Sequence, residues 1–244
     1  MDGVDLGGIH LGAASAATAM LISLLPAAWL AARNPQRAWY EGRAAAESMK
    51  TLAWKYAVRA TPFAGEEQPA ARRLAEDFTA ICNDFPSIRW PENADPVTPA
   101  MQALRSASLA KRKDAYQSGR LEMELRWYAE KTNHYLRVGR RWNLLAVGAT
   151  AIGLTGGFLK AFDVVSYDGL GAASAIAAGA TAWLQMKQFR PLATAYGLTG
   201  RDLTAVEKQL ERAANEQEWA QRAADAEDAI SREHTMWLAR REAA

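Results

Sequence analysis

Cysteine, histidine and charge inside its longest apolar runs are what this chain has least of. One cysteine, Cys82, in 244 residues excludes an internal disulfide and fits a reducing compartment, where it serves as a small hydrophobe. The three histidines, His10, His134 and His234, stand far apart without cysteine neighbours, so the ligand spacing of a zinc site is missing. Glu233 and His234 are adjacent and point to different sides of a helix, which makes them no acid-base pair. There is no P-loop, nucleophile elbow or paired-carboxylate site, and Gly169-Leu-Gly171 is a fragment of a dinucleotide fingerprint that follows no β-rich strand. The sequence therefore predicts no catalytic, cofactor-binding or metal-ligating residue, and no enzyme. A formal charge of only +2 leaves no nucleic-acid surface once the basic flanks below are counted.

Charge is nearly missing from residues 9–32, 143–162 and 169–186, where only Lys160 interrupts, close to an end. Each run approaches the roughly 20 apolar residues that cross a hydrocarbon core of about 30 Å. A soluble amphipathic helix needs a polar face, and these runs have none. The alternative is a soluble bundle with Ala-rich core helices, which suits 169–186 best, because Ala and Gly gain little from lipid. A cleaved signal peptide fits poorly, since residues 1–8 carry Asp2 and Asp5 and no Lys or Arg. Arg33, Arg37 and Arg43 follow the first run, Arg137, Arg140 and Arg141 precede the second, and Lys187 and Arg190 follow the third. Three crossings put all these flanks on one side, which the positive-inside rule makes cytoplasmic. Residues 33–141 and the C-terminus are then inside, and Trp29, Trp142 and Trp183 lie at the inner interface.

One phrase occurs twice: Leu11-Gly-Ala-Ala-Ser-Ala16 and Leu170-Gly-Ala-Ala-Ser-Ala175 each open an apolar run that ends in Trp-Leu and then a basic residue. The chain reads as a diverged duplication. Small residues recur every fourth position as Ala149, Gly153 and Gly157 in one predicted hairpin helix and as Gly171, Ala175 and Gly179 in the next. Such stripes let helix backbones approach closely. They are expected on facing surfaces, for helix packing within or between protomers or for lining an aqueous path. No span carries a mid-membrane charge or amide, so a proton relay or substrate counter-ion is missing and a transporter is disfavoured.

Outside the spans the pattern is helical. Residues 36–60 read as a helix continuing inward, with Arg43 and Glu47 as an i,i+4 pair and Thr61-Pro62 as its stop. A shorter helix is expected at 69–83, and Pro86, Pro91, Pro96 and Pro99 then mark an irregular connection in which Trp90 docks a partner or covers the core. A long helix is predicted from Pro99 to 141, weakened near Gly119, with Leu121, Leu125, Tyr128, Thr132, Tyr135 and Gly139 on one stripe and Glu122, Glu124, Arg126, Glu130 and Lys131 on the other face. Thr199 and Asp202 resemble a capped start of a C-terminal helix at about 200–241, whose stripe is Trp219, Ala223, Ala226, Ile230, His234 and Trp237. The expected fold is all-α: an integral membrane protein with three transmembrane helices, one anchor plus a hairpin, and a cytoplasmic helical bundle.

The segment from Arg37 to Tyr56, Pro62-Phe63, the stretch Arg126-Trp-Tyr-Ala-Glu-Lys131 and Ile230-Ser-Arg-Glu-His-Thr-Met-Trp237 resemble bacterial SLATT domains, the SMODS- and SLOG-associating two-transmembrane effector domains. The resemblance covers nearly the whole chain and is to the tandem type, with copies expected at 1–98 and 99–244. It departs in one respect, since the first copy has only its second membrane helix. The resemblance implies an effector of bacterial anti-phage conflict systems in the inner membrane, which oligomerises and forms a pore or depolarises the membrane when a sensor partner or nucleotide signal activates it. Its partners are then the lipid bilayer, other copies of itself and a sensor or nucleotide-signalling protein, with no nucleic acid and no cofactor. The helix bearing Trp39, Arg43, Glu47, Lys50 and Trp54 is expected to couple sensor to membrane. The competing expectation is a membrane-anchored scaffold that recruits a partner without a pore.

Overall fold

In the computed structural model, residues 5–6, 9–33, 35–91, 95–165 and 170–242 are described, with the side chains of 232–242 and of several residues before 37 left aside. Apart from a two-residue antiparallel pairing of β1 (Asp5–Leu6) with β2 (Ile9–His10), the regular structure among them is helical. The first apolar run forms α1 (Leu11–Arg33), and α2 (Pro35–Ala57) follows it almost at once. A turn containing a cis Thr61-Pro62 bond leads to α3 (Glu67–Asp84). Trp90, left with two readings by the sequence, lies half-buried against Phe78 of α3 and donates from its indole to the Phe85 carbonyl at 3.3 Å.

The helix expected over 99–141 is two helices, because two hydroxyl caps compete with one continuous run. Thr98 caps α4 (Pro99–Arg105), with its hydroxyl accepting from the Met101 amide at 3.3 Å. Ser108 caps the next helix in the same way, and a helical turn that meets such a cap restarts there. From that restart, α5 (Leu109–Tyr116), a π-turn (Gln117–Leu121) and α6 (Glu122–Ala161) form one rod. Its 53 residues measure about 80 Å at 1.5 Å per residue, so a single rod joins the helical bundle to the apolar hairpin.

The hairpin returns through α7 (Leu170–Lys187). Gln188, with φ 48°, turns the chain sharply into α8 (Phe189–Glu211). The single C-terminal helix expected from about 200 is instead α8 and α9 (Glu216–Glu242). Thr199 caps nothing, since it sits inside α8 with its hydroxyl on the Ala195 carbonyl. Asn215 is the cap that sequence reading missed: its side chain accepts from the Glu218 amide at 2.9 Å, while the Glu218 carboxylate accepts from the Ala214 amide at 3.0 Å. The spacing Asn-x-x-Glu is that of a capping box, here with the Glu218 carboxylate reaching one residue further back than the cap's own amide.

Two apolar clusters make the core. The larger gathers Val58, Tyr116, Leu121, Tyr128, Leu203, Leu210, Trp219, Ala223, Ala226 and Ile230, and the smaller joins Tyr56, Phe63, Ala70 and Leu74. The predicted α9 stripe is thus buried through Ile230, while the side chains of His234 and Trp237 lie outside those described. The stripe predicted on α6 packs on α8: Gly139 meets Phe189, whose Cβ lies 3.0 Å from where a glycine Cβ would stand, and Tyr135 stacks on Tyr196 at 5.6 Å.

The hairpin and α1 are dressed differently. Leu144, Val147, Ile152, Leu154 and Phe158 of α6, Ile176 of α7 and Met20, Leu21, Ile22, Leu24 and Leu25 of α1 stand more than half exposed, a concentration of bare apolar side chains that soluble monomers rarely keep. Hydroxyls in these helices turn inward on their own backbone, Thr150 to Ala146, Thr155 to Ala151 and Thr181 to Ala177. A medium without water demands this of every polar group. Among the described residues one helix, Leu109–Ala161, is long and apolar enough to cross a membrane, and Ala17–Leu30 is a shorter apolar segment. α7 falls short of that measure because its Ala and Gly carry little apolar surface.

Candidate functional site

The most specific arrangement in the chain is where the π-turn meets α2 and α9. Arg120 is fully buried and donates to both carboxylate oxygens of buried Glu227, each at 3.0 Å. The Tyr116 hydroxyl donates to the same carboxylate at 2.9 Å. The third guanidinium nitrogen donates to Glu124 at 2.5 Å, and Glu124 also accepts from Lys50 of α2 at 2.8 Å. Five groups, Lys50, Glu124, Arg120, Glu227 and Tyr116, thereby bind three segments through one connected set of charges.

The π-turn helps to build it. Its widened hydrogen bond runs from the Glu122 amide to the Gln117 carbonyl, and Tyr116, Arg120 and Leu121 all reach the interior. Gly119 makes room on the other side, since a Cβ there would lie 3.2 Å from the Trp54 ring. Such bulges recur at functional places in helices.

Burial raises the Tyr116 hydroxyl well above its ordinary pKa, and the Glu227 carboxylate adds to the effect. For Arg120, burial pulls the guanidinium down, but the hydrogen bond to Glu227 and the Glu227 and Glu124 charges outweigh it and raise the value. Both groups therefore hold their protons at neutral pH, and the site is a structural clamp.

Two more buried arginines collect backbone carbonyls from the turn after α2. Arg105 donates to Tyr56, Phe63 and Gly65 carbonyls at 2.9, 2.8 and 2.7 Å, and burial lowers its pKa while the neighbouring Tyr56 opposes the fall. Arg112 donates to the Val58 carbonyl at 3.0 Å and pairs with Glu216. Trp219 of α9 donates to the same Val58 carbonyl at 2.8 Å. The end of α2 is thus pinned by α4, α5 and α9 together.

The residues expected to couple sensor and membrane divide. Arg43, Glu47 and Lys50 line one cleft with Met123, Glu124, Trp127 and Tyr128 of α6. Trp54 packs edge-on against Tyr116 at 5.7 Å, and Trp39 is 58% exposed toward the α1 end. The expected Arg43–Glu47 ion pair does not form: Glu47 lies 3.8 Å from Lys50, while Arg43 sits over the Trp127 ring at 5.2 Å. The face of a partly buried indole competes well for a guanidinium against a carboxylate already facing Lys50. Glu124, expected on the solvent face, belongs instead to the clamp.

The small-residue stripes divide too. Ala149 and Gly153 are buried, and Gly153 and Gly157 meet Leu170, with the Ala173 methyl also against Gly153. Gly171, Ala175 and Gly179 do not face them. Gly171 and Gly179 have open space where a side chain would stand, and Ala175 is exposed, because α7 turns Ala173, Ala177 and Ala180 toward α6 instead. A fourth-position repeat fixes a face without fixing which way that face points. At one end of the hairpin Trp142 and Trp183 lie 5.8 Å apart with Lys187 over Trp183. The rim there is aromatic and basic, as an interface requires.

Sequence reasoning missed Arg105, Arg112, Arg120 and Glu227. A signal existed: Arg112, Tyr116, Arg120 and Glu124 fall at every fourth position along one helix face, and Glu227 sits among the alanines of the α9 stripe. Among the described residues no group of His, Cys, Asp or Glu could hold a metal ion.

A helical bundle clamped by buried ion pairs and prolonged by a bare apolar hairpin defines an all-α, membrane-associated protein. Residues 116–237, half of the chain, match the family profile described as SMODS and SLOG-associating 2TM effector domain 1, and residues 3–113 match that of SMODS and SLOG-associating 2TM effector domain 3. The chain belongs to the SLATT family and carries two such domains in tandem. The two matches meet between residues 113 and 116, just before the π-turn, whereas the proline-rich loop had suggested a boundary near 98. No curated protein and no solved structure matches the chain.

Proposed function

We propose that this chain is the membrane effector of a bacterial anti-phage conflict system, and that activated copies assemble in the inner membrane and depolarise it. The observation that carries the reading is the uninterrupted Leu109–Ala161 rod, which holds the buried clamp at one end and the apolar hairpin at the other. A rearrangement of the bundle therefore reaches the hairpin without a flexible joint, as a two-state coupling requires. α1, α6 and α7 are the three spans of this reading, with the bundle on the cytoplasmic side where the basic flanks lie. The open face of Gly171, Ala175 and Gly179 supplies the contact between copies, since small residues permit close helix approach. A sensor partner or a nucleotide signal is the trigger.

The test is membrane potential in bacteria expressing the chain, read with a voltage-sensitive dye, with neighbouring genes supplied in parallel. Depolarisation by the wild type that is lost in Gly171→Leu/Gly179→Leu, at equal membrane insertion, is the expected result. Unchanged depolarisation in that variant removes the α7 face from the account. Intact polarisation throughout, with insertion confirmed, favours a membrane-anchored scaffold instead.

A further inference from the structure

Below the aromatic rim of the hairpin, α6 and α8 leave an open seam. Tyr128 meets Gly200, Thr132 meets Gly197 and Phe189 closes on Gly139, so the two helices run antiparallel. A step of one residue turns about 100° around a helix, and in an antiparallel pair such steps carry both chains to the same side. Arg140 and Arg190, which follow the Gly139–Phe189 contact, therefore stand at one level on one side of the seam. There it opens into a groove of about 340 Å³ lined by Leu136, Ala193, Thr194, Gly197, Leu198 and Arg201. Leu136 shares a helix face with Arg140, and Thr194 shares one with Arg190. We propose that this seam seats the headgroup of an anionic phospholipid of the cytoplasmic leaflet, with its phosphate held by Arg140 and Arg190 and its glycerol headgroup laid in the groove toward Arg201. The inference rests on the reading of α6 and α7 as membrane spans with the bundle on the cytoplasmic side.

Charge complementarity selects the occupant. Residues 132–141 and 187–201 carry Arg137, Arg140, Arg141, Lys187, Arg190 and Arg201 and not one Asp or Glu. Arg140, Arg190 and Arg201 are exposed, and among the described residues none of the three forms an ion pair. The nearest carboxylates along the two helices are Glu130 and Asp202, and neither pairs with them. Elsewhere the bundle neutralises its surface cations, Arg37 with Glu41, Lys50 with Glu124, Lys55 with Asp228 and Arg222 with Glu218. The seam is thus a local excess of positive charge that the fold leaves without a counter-charge.

Depth selects a lipid over a soluble anion. Arg140 stands about 3 Å along the helix axis from Trp142 of the rim, and Leu136 about 9 Å, so the seam spans a headgroup layer about 5–8 Å thick. Leu136 and Leu198, 51% and 59% exposed, offer methyl groups to the carbon chain of a glycerol headgroup. Basic pockets beside spans on the cytoplasmic side take anionic headgroups, and paired guanidinium forks meet a phosphate through several charge-assisted hydrogen bonds. A zwitterionic headgroup brings its own cation to the same arginines and gains less.

The experiment compares the full chain in uncharged detergent doped with equal amounts of phosphatidylglycerol or phosphatidylcholine, or supplied with free glycerol 3-phosphate. Native mass spectrometry counts the molecules retained per chain, and the thermal midpoint is followed alongside. Phosphatidylglycerol is expected to be retained and to raise the midpoint, with phosphatidylcholine and glycerol 3-phosphate binding about tenfold more weakly. Arg140→Gln/Arg190→Gln should weaken phosphatidylglycerol about tenfold and leave the midpoint in phosphatidylcholine unchanged. Arg72→Gln/Arg73→Gln, which removes as much charge from exposed positions of α3, should bind as the wild type does. Equal retention of the two lipids, equal binding of glycerol 3-phosphate, equal binding by a folded Arg140→Gln/Arg190→Gln, or an equal loss in the α3 variant overturns the proposal. So does a two-chain species that the Arg140→Gln/Arg190→Gln change dissolves, which assigns the seam to a second copy. If that variant does not fold, the three-ligand comparison on the wild type decides alone. Flotation with vesicles of each lipid tests the membrane reading separately: a chain that floats with neither overturns that reading and this inference together, and one that floats with both but retains the lipids equally overturns this inference only.

Discussion

Arg120 and Glu227 show how much one pair can carry. Both are fully buried, and their attraction offsets the cost of taking two charges out of water only while the geometry holds. Glu227→Gln or Arg120→Met leaves the other charge buried alone, and each should lower the stability of the detergent-solubilised chain by about 3–5 kcal/mol, read by chemical unfolding. Tyr116→Phe removes one hydrogen bond to a charged group, an expected loss of about 1.5–3 kcal/mol at neutral pH. The sign of its pH dependence follows from the raised folded pKa of Tyr116. Below the ordinary tyrosine value of about 10, folded and unfolded chains both keep the proton, and the advantage of Tyr116 is fully present. Above it only the folded chain keeps the proton, so the advantage shrinks as pH rises toward the folded value. The stability gap between wild type and Tyr116→Phe should therefore be constant from pH 7 to about 9 and narrow beyond pH 10. A gap that widens there contradicts the burial of this hydroxyl against Glu227. None of this was legible in sequence, because Arg120 and Glu227 lie 107 residues apart and only packing brings them together.

Elements were more legible than their ends. The runs expected at 9–32, 143–162 and 169–186 coincide to within one or two residues with α1, the end of α6 and α7, since a long stretch without charge has few other ways to satisfy its backbone. The breaks at 106–108 and 212–215 were missed, although Ser108 and Asn215 with Glu218 are local capping signals. Asn215→Ala should cost about 1 kcal/mol and speed amide exchange in the first turn of α9 before the global midpoint moves. The two glycine faces of the hairpin call for opposite outcomes. Gly153→Leu pushes into Ala173 and Leu170 and should loosen the α6–α7 contact, seen as a lower thermal midpoint of the solubilised protein. Gly179→Leu meets open space and should leave that midpoint unchanged, so any loss of activity in it reports contact with another copy.

The whole molecule is a bundle and a hairpin joined by one rod, and that is what makes it readable as an effector. The duplicated Leu-Gly-Ala-Ala-Ser-Ala phrase and the tandem SLATT matches agree on two related halves. In the described structure the second copy pairs two apolar helices, the end of α6 with α7, whereas α1 keeps its apolar surface exposed. The clamp and the end of α2 tie the halves together, since Lys50 of α2 reaches Glu124 and Trp219 of α9 reaches Val58. The central claim is that activation of this chain collapses membrane potential through contacts between copies, and the direct test is the voltage-dye measurement on the wild type and Gly171→Leu/Gly179→Leu side by side. The account predicts depolarisation by the wild type and a polarised membrane in the equally inserted variant. A wild type that leaves the potential intact with every neighbouring gene supplied, or a variant that depolarises as fully as the wild type, would contradict it.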